Sequence, residues 1–222
     1  MPGPFLSTTT RDVPIVPDRA ALLFIDVQNY ACHRDGAEWA EMDPAERAAK
    51  QGPFLDRLQG EVLPQMQALQ AGCRAAGIEV MYTTIESLTQ DGRDRSLDYK
   101  ITGFNVPRGS WDARVLAEIA PGPDEIVLPK TSSSVFVSTN IDYVLRNLGV
   151  AQLIVSGVLT DQCVESAIRD ACDLGYLVTQ VTDACLTYTE ARQAASVAAI
   201  RGYCRQVTTE ALLAEIAGAG AG

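Results

Sequence analysis

The chain has 222 residues, a formal net charge of -10, and 47% hydrophobic residues. That is enough apolar chain for one full core, while the acidic balance argues against nucleic acid and anionic membrane surfaces, both of which call for Lys and Arg patches. No apolar run approaches membrane-spanning length, and Met1 to Pro17 has neither the basic start nor the apolar stretch of a signal peptide. The six cysteines (Cys32, Cys73, Cys163, Cys172, Cys185, Cys204) form no CxxC pair, and with one histidine, His33, no Cys/His zinc set can be assembled. A reduced, cytoplasmic protein is expected, with most cysteines serving as small core residues.

Residues 1–18 are rich in Pro and Thr without a period and read as a surface arm or frayed end. Ala20 to Asp26 is an apolar run ending in an acid, a buried strand that delivers Asp26 at its carboxyl end. Arg34 to Gln51 is charged, with Asp43-Pro44 as an N-cap and N1 pair. Phe54 to Ala76 has helical periodicity, with a kink or late start expected at Pro64 and a stop at Gly77. Glu79 to Ile85 is the second strand, with Glu86 at its exit. Ser87 to Arg114 is long, charged and without period, as functional segments often are. It reads as a lid or a subunit-facing segment. Trp111 to Ala120 is expected to be a short helix, and Glu125 to Lys130 the third strand. A helix over Thr139 to Leu148, a strand over Leu153 to Val158 and a helix over Cys163 to Leu174 follow. Tyr176 to Val181 and Cys204 to Val207 complete the strands, with helices at Thr189 to Tyr203 and from Thr208. Residues 218–222 read as a frayed tail.

Strands alternate with helices throughout, which predicts one three-layer α/β/α domain over 19–217 with a six-stranded parallel sheet. In such a sheet all carboxyl ends lie on one edge, where ligands bind. Asp26, Lys130 and Cys163 would converge there. Cys163 sits where a turn becomes a helix, and the unpaired N–H groups of that helix end favour thiolate over thiol. Read together, Cys163 is a nucleophile, Asp26 takes its proton and passes it to a departing amine, and Lys130 supplies positive charge. The backbone N–H groups of Leu159 and Cys163 are placed to hold a developing oxyanion. Each residue also has a bland reading: an inert buried cysteine, a turn or capping aspartate, a solvated lysine. Asp161 and Asp183 read as turn and capping residues, and His33 as surface or rim.

Three stretches carry a resemblance. Phe24-Ile25-Asp26-Val27-Gln28-Asn29, then Val127-Leu128-Pro129-Lys130, then Ser156-Gly157-Val158-Leu159-Thr160-Asp161-Gln162-Cys163-Val164 resemble the isochorismatase-like cysteine hydrolases, over about residues 20 to 210. The resemblance implies a Rossmann-like six-stranded parallel sheet, an Asp-Lys-Cys triad at Asp26, Lys130 and Cys163, and a cis peptide between Val158 and Leu159 that aims a backbone N–H into the oxyanion hole. It also implies a homodimer or homotetramer. The vinyl-ether-cleaving members lack the cysteine, so Cys163 points to C–N hydrolysis. The metal-binding nicotinamidases carry an Asp and two His after the second strand; here Thr83 to Asp91 holds no histidine, so no metal or other cofactor is expected. What remains is the metal-free branch acting on linear amides and ureides, of the carbamoylsarcosine, ureidoacrylate, biuret and maleamate types.

The expected function is therefore a cysteine-dependent amidohydrolase that releases ammonia through an acyl- or carbamoyl-cysteine. The alternatives are a vinyl ether hydrolase and a non-catalytic small-molecule-binding or scaffold protein of the same fold. Asn29, Tyr30, Glu86, Phe136, Thr160 and Gln162 are the candidate substrate-binding residues, with packing or capping as the other reading of each. Arg93, Arg95, Lys100 and Arg108 are candidates for meeting a substrate carboxylate, with solvated or subunit-facing roles the simpler assignment. There is no GxGxxG after the first strand and no P-loop.

Overall fold

Strand β1 (Ala20–Ile25) is buried along its whole length because it is paired on both edges and covered on both faces. It lies in a six-stranded parallel sheet with β2 (Glu79–Ile85), β3 (Ile126–Lys130), β4 (Gln152–Val158), β5 (Leu177–Leu186) and β6 (Arg205–Val207), in the order β3-β2-β1-β4-β5-β6. The computed structural model describes residues 9–40 and 42–219. Among these, no helix is long and apolar enough to cross a membrane.

The period of two in a strand divides the core in two. Ala20, Leu22 and Phe24 enter one apolar cluster, with residues from the helical rod described next and from the C-terminal helix; Ala21, Leu23 and Ile25 enter a second on the opposite face. After β1 come two short helices, α1 (Asn29–Cys32) and α2 (Ala37–Ala40). The rod is α3 (Pro44–Arg57), a π-helical turn (Leu58–Val62) and α4 (Leu63–Ala75). Asp43 caps it, its carboxylate accepting from the N–H groups of Ala45 and Glu46. Pro64 falls in the first turn of α4, directly after the π turn, so the break expected at this proline is taken up as a local widening of a continuous rod.

Further along lie α5 (Leu97–Ile101), α6 (Val135–Ser138), α7 (Ile141–Asn147), α8 (Glu165–Asp173), α9 (Glu190–Ile200) and α10 (Thr209–Ala219). Pro129 sits inside β3, which tolerates it as an edge strand. Three expectations need correction. The Trp111 to Ala120 helix shrinks to a single 3₁₀ turn, Ala117–Ile119. β5 runs on through Thr182, Asp183 and Ala184 to Leu186, because its register against β4 shifts between Val155 and Gly157 and pairing resumes at Cys185. The described part of the N-terminal stretch is tied down: Ile15 is buried, its N–H donates to Glu215, and the Gln152 amide brackets Pro14 and Val16. The remainder of that arm, residues 1–8, and positions 220–222 of the expected tail lie outside the described residues, while α10 extends to Ala219.

Candidate active site

The carboxyl ends of β1, β3 and β4 place three reactive groups together. Asp26 follows β1 directly, with φ 55°, a left-handed conformation that Asp enters more readily than most residues. Its N–H donates to the Thr83 carbonyl on β2, and its Oδ1 accepts from the Thr83 hydroxyl at 2.9 Å. Lys130 ends β3, two strands from β1. Neighbouring strands lie about 4.8 Å apart, so a residue there must reach across β2, and the four-carbon stem of lysine does so. Its Nζ lies 2.8 Å from Asp26 Oδ2 and 3.3 Å from Cys163 Sγ. It also donates to the Ser132 carbonyl at 2.9 Å and the Tyr99 hydroxyl at 3.3 Å. Asp26 Oδ2 meets the ammonium as a close charge contact and has no aligned hydrogen bond of its own within the described structure.

Cys163 lies in a π-helical turn, Thr160–Val164, between β4 and α8. Gly157 lets β4 approach β1 here: its φ is 137°, and a Cβ would sit 2.3 Å from the Ile25 carbonyl oxygen. The next peptide, Val158–Leu159, is cis. The N–H groups of Gln162 and Val164 both turn back to the Leu159 carbonyl, closing the turn around the sulfur.

The electrostatics correct one expectation. The Cys163 thiol is pushed up to about 12, chiefly by burial; Lys130 opposes this, and the charge of Asp26 adds to it. The thiol, not the thiolate, is thus the resting form, because burial outweighs one ammonium already shared with a carboxylate. On Lys130 burial works against the charge, but Asp26, Cys163 and Tyr99 together raise its pKa, so it stays an ammonium. Burial likewise raises the Tyr99 phenol, which remains neutral.

Asp26 and Cys163 open onto a cavity of about 360 Å³. Val158 and Leu159 line it beside them, with Gln28, Tyr30 and Ala31 from the chain after β1 and Ile85 from β2. Asp98, Tyr99, Thr102 and Phe104 come from α5 and the residues after it; Ser133, Gln162 and Tyr188 complete the lining. Tyr30, Phe104 and Tyr99 form a row, with ring centroids 5.1 Å and 5.3 Å apart. Gln28 is locked by three hydrogen bonds, to the Ile85 N–H and to the carbonyls of Ile85 and Asp112.

Two of the six sequence-derived wall candidates, Tyr30 and Gln162, line this cavity, and four stand elsewhere. Asn29 donates to the Trp111 carbonyl and holds that loop. Glu86 accepts from the Gly109 N–H on the outer side of the 87–114 segment. Phe136 packs on Tyr176. Thr160 is fully buried and hydrogen-bonded to Gln193. Asp183 caps α10 and Asp161 joins Thr187 to Arg192. His33 stacks edge-on against Trp111 away from the cavity. The segment 87–114 contributes cavity wall through α5. Asp98, Tyr99, Thr102, Phe104 and Ser133 carried no sequence signal: α5 is five residues long, too short to show a period, and Ser96, its N-cap, was the one available hint.

The family model for the isochorismatase domain matches residues 20–211. The chain belongs to the isochorismatase family. Within it, the chain is 30% identical over 189 residues to a ureidoacrylate amidohydrolase RutB of Rhizobium rhizogenes, covering 78% of this chain and 72% of the relative. It is 28% identical over 197 residues to the protein of that name from Agrobacterium fabrum, covering 78% of each. A cysteine hydrolase structure from Pseudomonas syringae superimposes with a TM-score of 0.80 at 25% identity, covering 96% of this chain and 100% of that one. An N-carbamoylsarcosine amidase from Thermoplasma acidophilum shares the fold, with a TM-score of 0.66 at 21% identity over 86% of this chain and 97% of that one. The six-stranded parallel sheet is the one that this isochorismatase membership implies.

Proposed function

We propose that this isochorismatase-family chain is a cysteine-dependent amidohydrolase that cleaves the C–N bond of a small linear amide or ureide and releases ammonia. Relatives named as amidohydrolases support hydrolysis of carbon–nitrogen bonds other than peptide bonds. One observation carries the mechanism: the ammonium of Lys130 touches both Asp26 Oδ2, at 2.8 Å, and Cys163 Sγ, at 3.3 Å, at the wall of a small-molecule-sized cavity.

The carboxamide or carbamoyl carbon settles against Sγ. The thiol proton passes to the Asp26 oxygen that has no aligned partner as sulfur attacks, so thiolate need exist only as the bond forms. The negative charge that develops on the substrate oxygen is held by the N–H groups of Leu159 and Cys163. Asp26 returns the proton to the amine, the C–N bond breaks, ammonia departs and an acyl- or carbamoyl-cysteine is left. A water molecule then gives its proton to Asp26, adds to the thioester carbon and expels sulfur, which recovers the proton as thiol. Lys130 keeps its charge throughout and offsets whichever partner is anionic.

The test is ammonia release from a panel of primary amides and ureides by wild type and by Cys163→Ala and Asp26→Asn. Loss of turnover in both variants, with an adduct on Cys163 trapped by mass spectrometry, is the expected result. An alanine variant as fast as wild type would exclude the sulfur route.

A further inference from the structure

Among the described residues, the charged side chains that line the cavity have one sign. Its lining includes two carboxylates, Asp26 and Asp98, and no Lys, Arg or His side chain. A third carboxylate stands behind it: Glu38 accepts hydrogen bonds from the phenols of Tyr188 and Tyr30, both of which line the cavity. Two cations also stand behind Tyr188, Lys50 at 5.7 Å and Arg192 at 5.3 Å from its ring centroid, but neither lines the cavity and each is paired with a carboxylate, Glu46 and Asp161 respectively. The nearest ammonium, Lys130, is fully buried and spent on Asp26, Cys163, Tyr99 and the Ser132 carbonyl.

The basic residues of the 87–114 segment do not alter this. Arg93 pairs with Asp91, Arg95 donates to the carbonyls of Gly92 and Phe104, Lys100 to the carbonyl of Arg93, and Arg108 to that of Leu88. None of the four lines the cavity. Asp98, by contrast, is exposed and lines it, and its carboxylate has no hydrogen-bond or ion-pair partner among the described residues. Opposite charges near a partly desolvated cavity attract and like charges repel. The Tyr30–Phe104–Tyr99 row adds flat, electron-rich faces that suit an apolar or cationic body and offer nothing to an anion.

Resting on the amidohydrolase reading above, we propose that this cavity selects neutral or ammonium-bearing amides and ureides and rejects those that carry a carboxylate, with Asp98 as the specificity-determining residue. An acrylate is a carboxylate, so the preferred substrate departs from the class in the name of the ureidoacrylate relatives. Gln162 and the Asp98 carboxylate supply polar contacts to the body of the substrate, and the carbamoyl end lies at Cys163.

Three primary ureas of equal chain length separate charge from shape: propylurea, 3-aminopropylurea and 3-ureidopropionate. Binding to Cys163→Ser by isothermal titration reads selection without turnover, and ammonia release by wild type reads kcat and KM. The ammonium and neutral ureas should bind at least about tenfold more tightly than the carboxylate one. The kcat/KM order should match, carried mainly by KM. Asp98→Asn should compress the ammonium-to-carboxylate ratio severalfold, Asp98→Lys should invert it, and Asp98→Glu should restore it. Equal affinity for all three, tighter binding of 3-ureidopropionate, or no binding of any would overturn the proposal. Selective binding without ammonia release would leave it standing and count against the hydrolytic reading instead.

Discussion

Lys130 Nζ stands 3.3 Å from the sulfur of Cys163 and 2.8 Å from Asp26 Oδ2, so one fully buried ammonium serves two partners of opposite need. The carboxylate is satisfied by it, while the thiol, squeezed by burial and by the same carboxylate, keeps its proton at neutral pH. In the proposed mechanism the proton therefore leaves as sulfur attacks, not before substrate arrives.

Alkylation should show this. With the Cys163 thiol pushed up to about 12, its rate of modification by iodoacetamide should climb roughly tenfold per pH unit between about pH 7 and 10, with no plateau. Peptide mass spectrometry after timed quenching follows the single site. A plateau at or below neutral pH would mean a preformed thiolate.

Breaking the ion pair should cost more than removing it. Lys130→Met strands a buried carboxylate and should lower unfolding free energy by about 3–5 kcal/mol. Combining it with Asp26→Asn, an amide that also tolerates the left-handed backbone at that position, should recover part of the loss. Urea denaturation of the two single variants and the double variant closes the cycle.

Tyr99→Phe removes a hydroxyl that accepts from Lys130 at 3.3 Å and lies 3.9 Å from Cys163 Sγ. A hydrogen bond to a charged group is worth about 1.5–3 kcal/mol. The variant should lose about that much stability and turn over more slowly, while the stacked contact with Phe104 keeps α5 in place.

Gly157→Ala should be among the most damaging single-methyl changes in the sheet. The added carbon meets the Ile25 carbonyl oxygen at 2.3 Å and the Ile25 nitrogen at 2.6 Å, both backbone atoms that cannot swing aside. A loss above about 2 kcal/mol is expected, together with impaired activity, since the displaced residues lead directly into the Cys163 turn. Thermal denaturation reads the first effect, and ammonia release by protein that circular dichroism shows to be folded reads the second.

Stability should also fall in alkali. Burial raises Cys32, Cys73, Cys163, Cys172 and Cys185 to about 12 and Cys204 to about 11, from an ordinary value of 9.0. Because folding raises each of these pKa values, the folded chain holds the protons more tightly than the unfolded chain. The resulting stability is fully present below about pH 9 and is lost as the pH rises through about 11 to 12. Denaturant midpoints across that range should be level first and then drop steadily. A midpoint unchanged at about pH 11 would contradict the assignment of these thiols as buried and neutral.

Much of the architecture could be read from the chain because short apolar runs such as Ala20 to Ile25 and Leu153 to Val158 have few ways to be satisfied other than as central strands of a parallel sheet. Convergence of Asp26, Lys130 and Cys163 followed from the same logic, since strand ends share an edge. The cavity wall was largely hidden. Asp98, Tyr99 and Phe104 belong to a five-residue helix and its exit, with no period to detect, while Glu86 and Phe136 sit next to strand ends in sequence but are drawn away by Gly109 and Tyr176. Thiol ionisation was also misjudged: a helix end and a lysine are visible in a motif, whereas the depth at which the sulfur lies is not.

The sheet order has one more consequence. The acid stands on a strand flanked by β2 and β4, the amine arrives from beyond β2, and the sulfur comes from β4. No contiguous fragment shorter than the span from residue 26 to residue 163 can hold all three, so recovery of turnover after dilution from denaturant reports completion of the whole central sheet, and any version split between those positions must reassemble before it can work.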